Sequence, residues 1–363
     1  MLYDLTIIGG GPAGTSSAIS AARCGASVLL LERGRFPRHK VCGEFVSAES
    51  LSLLKDLLDH QHAALLRDAV RIPRARLFVD GRTLHATVDP PAASIARFDL
   101  DAALWHSAEA TGVDARQQVT VQSVAGAGPF RVVAGNEEFE TRAVINASGR
   151  WSNLNLAPAE SGMRPEKWLG VKAHFAEPVS EATSEPSVDL YFFNGGYCGV
   201  QPVGGGRVNA SAMVRANVAS SLPEVFAQHP TLRERSRNWT LVSEPVSTSP
   251  LIFRNPQPER DSVLMAGDAA GFVDPFVGDG ISLALRSGSL AAGCLESFLS
   301  GETSLSDAVS RYSRAYKESL LPVFRTSSKI RRMLVLPRYM RKPVLSFLQS
   351  SPAITNYLVR KTR

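Results

Sequence analysis

The sequence predicts an α/β fold: a Rossmann-type parallel sheet, interrupted by an inserted antiparallel β-sheet and followed by a C-terminal helical tail. Three features predict it. A strand, a glycine-rich turn and a helix open the chain, a second glycine-rich turn follows an apolar strand at Val263–Ala266, and short strands with turn signals fill the interval. The expected division places 1–70, 95–160 and 255–300 in the Rossmann-type domain, 71–94 and 161–254 in the inserted domain, and 301–363 in the tail. A chain of 363 residues suits about two domains at roughly 100–200 residues each.

The opening unit is the most informative. Leu5-Thr6-Ile7-Ile8 is an apolar run ending in Gly9-Gly10-Gly11-Pro12-Ala13-Gly14, a helical pattern follows through Ala18, Ile19, Ala21 and Ala22, and Gly25 closes it. Ser27-Val28-Leu29-Leu30-Leu31 is a second strand ending in Glu32. This is the βαβ unit of a dinucleotide-binding fold. Gly9 permits the tight turn, Gly11 lets the backbone approach a pyrophosphate, and Gly14 lets helix and sheet pack closely. The helix start offers free N–H groups to phosphate, and Glu32 can accept hydrogen bonds from an adenosine ribose. The motif by itself suits FAD and NAD equally.

Further along, Arg71–Pro90 reads as a hairpin about Asp80-Gly81, and Phe98-Asp99 opens a helix to about Thr111-Gly112. Three or four short strands are expected between Val119 and Ile145. More follow from Leu169 to Val214, punctuated by Gly195-Gly196 and Gly204-Gly205-Gly206. The second glycine-rich turn lies in VLMAGDAAGFVDPFVGDGIS, Val263–Ser282. There a strand runs into Gly267-Asp268, and a helix begins near Gly278 and continues to about Phe298. A carboxylate at a strand end can hold ribitol hydroxyls. The unpaired N–H groups opening the helix at Gly278-Asp279-Gly280 can stabilise negative charge near flavin N1 and O2.

Composition excludes several classes. Hydrophobic residues make up 44% and charged residues 20%, as in ordinary globular proteins rather than disordered, collagen-like or disulfide-dense ones. No uninterrupted apolar run of about 18 residues suggests a spanning helix, and no signal peptide is expected. Cys24, Cys42, Cys198 and Cys294 lack metal-site spacing. A reduced, cytoplasmic protein is expected. From Arg325 onward there are ten Lys/Arg and no acid, and removing those ten charges from the net +6 leaves −4 on the rest. That distribution argues against nucleic-acid binding, which needs a basic face on the folded domain.

The two glycine-rich turns together resemble the FAD-dependent oxidoreductases of the glutathione-reductase superfamily. Within it, the chain is most similar to the geranylgeranyl reductase group, related to the aromatic hydroxylases and flavin-dependent halogenases. The resemblance covers about residues 3–300. It rests on GGGPAG, Glu32, Lys40-Val41-Cys42-Gly43-Glu44, Arg97 before Phe98-Asp99, Asn146-Ala147-Ser148-Gly149, the run Gly196–Pro202 and the GDAAGFVDPFVGDGIS block.

It implies bound FAD. Ala13 and Glu32 would contact the adenosine half, with Pro12 and Arg33 beside them. Cys42, Gly43 and Phe45 would line the segment meeting flavin and pyrophosphate, and Arg97 would neutralise part of the pyrophosphate. Val121 would approach the adenine through its backbone. Gly267 and Asp268 would serve the ribitol, and Gly278, Gly280 and Ile281 the isoalloxazine. Ser148-Gly149 stands where the hydroxylases carry Asp-Gly, and GYCGVQPV replaces the halogenases' WxWxIP, so halogenation is not expected. The implied activity is hydride transfer to or from a carbon–carbon double bond of a lipophilic small molecule through flavin N5. NAD(P)H, another reductant or an electron-donor protein would supply electrons. The alternative is a monooxygenase hydroxylating an aromatic or polyketide-like ring.

Some side chains carry two readings. Cys42, close to Lys40, is the one catalytic candidate, through a lowered thiol pKa; otherwise it is a small residue packed beside the flavin. Cys24 and Cys294 read as core residues, and Cys198 can face the pocket or the core. His39 and Lys40 can bind an anionic group. His174 is either an acid or a satisfied strand histidine. The basic tail, cut into short helices by Pro337, Pro343 and Pro352, either docks on anionic lipid at the inner face of a membrane or packs as a helical lid.

Overall fold

The structure, a computed structural model, describes residues 2–150, 154, 167–178, 185–251, 253, 255–335 and 338–351. Strand Leu2–Ile8 is the centre of the first sheet, with Val28–Glu32 on one side and Glu137–Asn146 on the other, both parallel to it. Asp114–Gln117 and Val263–Met265 extend the parallel array outward. Glu259–Arg260 edges it, and the Val121–Gly126/Phe130–Ala134 hairpin adds antiparallel strands. Buried on both faces, Leu5–Ile8 and Val28–Leu31 at the centre carry almost only apolar side chains. Leu5, Ile7 and Leu30 point to one core with Trp105 and Leu285, while Ile8, Leu29 and Leu31 point to another with Phe130 and Val132.

Register decides where the turns emerge. Ile8 is level with Asn146 and Asn146 with Met265, and the Ala147 and Ala266 N–H groups continue the ladder to Ile8 and Asn146 at 2.8 and 2.9 Å. Three chain segments, at Gly9, Ala147 and Gly267, therefore leave the sheet side by side at its carboxyl edge. That edge is where open α/β sheets bind ligands. Helices Pro12–Arg23, Arg97–Ala110 and Gly280–Leu299 pack behind it. The last of these is joined by Leu305–Ser319, which starts in a reciprocal Ser304/Asp307 capping box.

The second sheet contains Trp168–Ala176, Arg207–Arg215, Gly196–Gly204, Ser187–Phe193, Val70–Val79, Arg82–Ser94 and Phe45–Val46 in that spatial order, with Thr240–Leu241 and Val246–Thr248 paired to Trp168–Ala176. It is antiparallel except where Ser187–Phe193 runs parallel to Val70–Val79. The expected hairpin turns at Asp80-Gly81, both with positive φ. Sequence reading missed Asp114–Gln117, whose DARQ run has no apolar signal because it is an edge strand.

The tail crosses back over the second sheet. Helix Leu321–Val335 is followed by Arg338–Ser350. Leu345 and Leu348 of the latter pack on Val79 and Leu84, and the Arg341 guanidinium grips both Asp80 oxygens at 2.6 and 2.8 Å. Pro343 does not break this helix as expected; it lies inside it. A proline here removes one helical hydrogen bond, and the apolar and ionic contacts of the opposite face hold the helix across it. Pro337, Pro352 and Arg360-Lys361 lie outside the described residues. Among the described residues no helix is long and apolar enough to cross a membrane.

Candidate FAD and substrate site

A cavity of about 500 Å³ runs from the carboxyl edge of the first sheet to the underside of the tail helices. Of the residues expected to hold the cofactor, Gly11, Pro12, Ala13, Cys42, Gly43, Phe45, Arg97, Gly267, Asp268, Gly278, Gly280 and Ile281 all line it. Gly9 and Gly14 do not, and their reason is internal. A Cβ on Gly14 would lie 1.7 Å from the Gly9 carbonyl oxygen, and one on Gly9 would lie 2.5 Å from that of Ala147. Gly11 differs: its Cβ would meet only the Arg97 guanidinium, at 3.9 Å, and a Cβ on Gly43 or Gly280 would meet nothing within 4 Å. Packing does not require these three glycines. The space in front of them does.

Glu32 is buried at its strand end. Its carboxylate accepts the Gly10 N–H at 2.8 Å and the Gly34 N–H at 2.7 Å and pairs with Arg38 at 3.0 Å. Arg33, beside it, is exposed. Val121 is buried in the core behind the sheet, with Ile8 and Leu29, and is not part of the cavity wall.

Cations crowd the glycine-rich turn. Arg97 forms a bidentate pair with Asp101, both contacts 2.6 Å, as i and i+4 on one helix. Lys40 lines the cavity nearby. Burial, followed by the Arg97 and Arg38 charges, pushes Lys40 down to about 8. Arg97 and Arg38 have carboxylate partners, whereas Lys40 forms no ion pair among the described residues, so the positive charge at this end is in excess. A pyrophosphate supplies the missing anion, and the residues fit the phosphate end of FAD.

The opposite end fits a flavin ring. Gly278 has a φ of +78°, and helix Gly280–Leu299 starts with Asp279 as its N-cap, but the Asp279 side chain caps nothing. The first-turn N–H groups face the cavity without a side-chain acceptor. Asp268 lies on the same wall, 3.5 Å from Arg150 Nε, and the Arg150 guanidinium sits 4.2 Å above the Phe272 ring.

The segment between these ends is held by Glu44 and His174, and by Lys172 and Asn209, which sequence reading did not single out. Glu44 has a φ of +62° and is buried. Its carboxylate accepts from Lys172 Nζ at 2.8 Å, from the Arg97 backbone N–H at 2.9 Å and pairs with His174 Nε2 at 2.7 Å. Burial opposes its ionisation, but His174 and Lys172 outweigh it and hold the carboxyl below its usual range. Asn209 Nδ2 donates to the carbonyls of Cys42 and Gly43 at 3.0 and 2.9 Å. The second sheet thereby grips the loop on which the first sheet's cofactor rests. A signal for this existed: Lys172 and His174, two apart on one strand, occupy the same face, and a buried lysine ammonium needs an anion.

The expectations about the four cysteines and His174 come out differently. Burial pushes the Cys42 thiol up, against the pull of Arg97, so the lowered thiol pKa expected from Lys40 is not found. Cys24 is exposed, not core, because it is the residue capping the end of Pro12–Arg23. Cys198 is fully buried among Val171, Tyr191 and Val225, facing away from the cavity, and Cys294 is buried as expected. His174 is a satisfied strand histidine, with His39 edge-on 5.5 Å away.

The far end of the cavity is apolar. Leu77, Val79, Leu84 and Val88 form one wall, and Leu345 and Leu348 of the last helix close it. Tyr197 and Phe276 also line the cavity. Their rings meet edge-on at 6.1 Å.

Comparison with known proteins agrees with this geometry. A menaquinone reductase of Mycobacterium tuberculosis is 26% identical over 364 aligned residues, covering 93% of this chain and 85% of that one. A digeranylgeranylglycerophospholipid reductase of Methanothermobacter thermautotrophicus is 28% identical, covering 92% and 88%. Among solved structures, a flavin-dependent brominase superposes with a TM-score of 0.80 at 20% identity over 100% of this chain and 93% of its own. A geranylgeranyl bacteriochlorophyll reductase-like protein of Thermoplasma acidophilum gives 0.79 at 20% identity over 99% and 95%. The family description "FAD binding domain" matches residues 3–318. With a cradle built for a dinucleotide and that match over most of its length, the chain belongs to the FAD binding domain family and is an FAD-dependent oxidoreductase.

Proposed function

We propose that the enzyme transfers hydride between flavin N5 and a carbon–carbon double bond of a lipophilic small molecule. The observation that carries this reading is the continuity of the cavity. The glycine-lined cofactor end opens directly onto a sleeve of Leu77, Val79, Leu84, Val88, Leu345 and Leu348. Such a sleeve strips water from an apolar chain at about 25 cal/mol per Å² buried, and offers it no charged partner. The reductase names of the relatives support the same reading.

Lys40, Arg97, Asp268 and the start of Gly280–Leu299 would hold FAD, which once reduced would supply hydride for one carbon of the double bond, with water the source of the proton for the other and NAD(P)H or a donor protein the source of the electrons. The chain's own residues do the rest. Lys40 and Arg97 neutralise phosphate charge, Asp268 holds ribitol hydroxyls, and the first turn of Gly280–Leu299 faces the flavin ring. Tyr197 and Phe276 orient the substrate's reacting end, and the last helix keeps water from the sleeve.

The test is anaerobic mixing of photoreduced, FAD-loaded enzyme with a polyprenyl compound, with product mass and flavin absorbance followed together. Oxidation of the flavin with gain of two hydrogens by the product is expected. Turnover only with oxygen, and gain of one oxygen atom, would establish the monooxygenase instead.

A further inference from the structure

We propose that the outward face of the last helix, Arg338–Ser350, docks on an anionic lipid surface. Three of the described exposed large apolar residues, Tyr339 at 75%, Met340 at 49% and Phe347 at 55%, belong to this 13-residue helix. At 3.6 residues per turn they fall within an arc of about 100°. Arg341, Leu345 and Leu348 occupy the opposite arc and make the contacts with Asp80, Val79 and Leu84. The helix therefore has two working faces: the inner one closes the cavity, and the outer one presents aromatic and sulfur-containing side chains to water.

Charge selects the occupant. Arg325 and Arg332 are exposed on the preceding helix, and residues 325–363 contain ten Lys/Arg and no Asp or Glu. Apolar side chains flanked by cations, on a helix too short to span a bilayer, are the pattern of a segment lying in a lipid interface. A second copy of the chain would bring the same cations against one another. The position adds a function and rests on the lipophilic-substrate reading: a single helix, about 10 Å thick, separates that interface from the apolar end of the cavity, so a substrate dissolved in the bilayer has a short path in.

The experiment is co-sedimentation of full-length, FAD-loaded protein with vesicles of phosphatidylcholine alone or mixed with phosphatidylglycerol. Binding to the phosphatidylglycerol vesicles at low salt, released at high salt, is expected. The combined Tyr339→Ser, Met340→Ser and Phe347→Ser variant should bind at least about tenfold more weakly with its FAD absorbance unchanged, because these side chains project into water. Arg325→Glu with Arg332→Glu should shift the salt dependence. Wild-type indifference to phosphatidylglycerol vesicles at low salt overturns the proposal. So does wild-type binding by the apolar-face variant, or a dimer of the wild type that this variant splits. No substrate is present, so a negative result leaves the hydride-transfer reading untouched, and failure of the anaerobic reaction leaves vesicle binding untouched.

Discussion

The Ser47 hydroxyl donates to Asp279 Oδ1 at 2.8 Å and lies 2.7 Å from the Ser282 hydroxyl. This contact turns an N-cap carboxylate away from the helix it begins. An N-cap aspartate ordinarily accepts from the N–H two or three residues on, here Ile281 or Ser282, and Ile281 lines the cofactor end of the cavity. Ser47→Ala frees the carboxylate to compete for those donors. With a cap contributing about 1 kcal/mol, FAD should bind about fivefold more weakly while the apoprotein melts no lower. Fluorescence titration of apoprotein with FAD, with calorimetry alongside, measures both. In an Asp279→Ala background the serine substitution should do nothing; an equal loss there would mean that no competition exists.

Buried carboxyls give the apoprotein a pH signature. Burial pushes both Asp279 and Asp274 up to about 6, above their unfolded values near 4. The folded state therefore holds their protons more tightly. Each contributes stability that is present below about pH 4 and is lost as pH rises through about 6, amounting to at most about 3 kcal/mol per group. Asp279→Asn stays neutral and can still accept from Ser47. It should melt above the wild type at pH 7, with the gap closing toward pH 5. A gap that widens on acidification would reverse the sign and the assignment.

Gly11 separates folding from cofactor binding. A valine there points into open cavity, with only Arg97 at 3.9 Å from the new Cβ. Gly11→Val apoprotein should keep wild-type circular dichroism and melting, yet retain FAD at least about tenfold more weakly, the scale of an overpacking penalty. Absorbance of purified protein and of its heat-released flavin reads this directly. Wild-type FAD content in a folded variant would place the pyrophosphate elsewhere. Gly14→Val is the contrast, since its side chain would collide with the Gly9 carbonyl and should prevent folding.

What could be read from the sequence was whatever is local. The turn at Gly9–Gly14, the helix following Asp279 and the Asp80-Gly81 hairpin each announce themselves within a few residues, because backbone geometry and periodicity are short-range properties. The loop Cys42–Glu44 was legible as cofactor-facing only through resemblance. Its anchors Lys172, His174 and Asn209 lie more than a hundred residues away, and only strand pairing brings them there. Lys172 and His174 lie two apart within an expected strand, but the anion opposite them could not be named without the fold. The tail was ambiguous for a different reason: a helix apolar on two faces produces the same composition whether it packs, docks or does both.

The Glu44 cluster yields the most severe prediction, because its charges have no access to water. Lys172 and Glu44 side chains are both 0% exposed and 2.8 Å apart. Removing one member of such a pair strands the other, at a cost of about 3–5 kcal/mol, far above what the intact pair contributes. Lys172→Met should therefore destabilise the apoprotein severely and loosen the Cys42-Gly43 segment, raising its hydrogen exchange. Glu44→Gln removes the charge but keeps an acceptor for Lys172 and His174, while leaving the Lys172 ammonium unpaired, so it too should destabilise. The double variant buries no unmatched charge at this contact and should be more stable than the sum of the single effects by at least about 1 kcal/mol, the coupling expected of residues in contact. Denaturant melts of the four proteins complete the cycle. Additive losses would show that Glu44 answers to His174 and the Arg97 N–H rather than to Lys172.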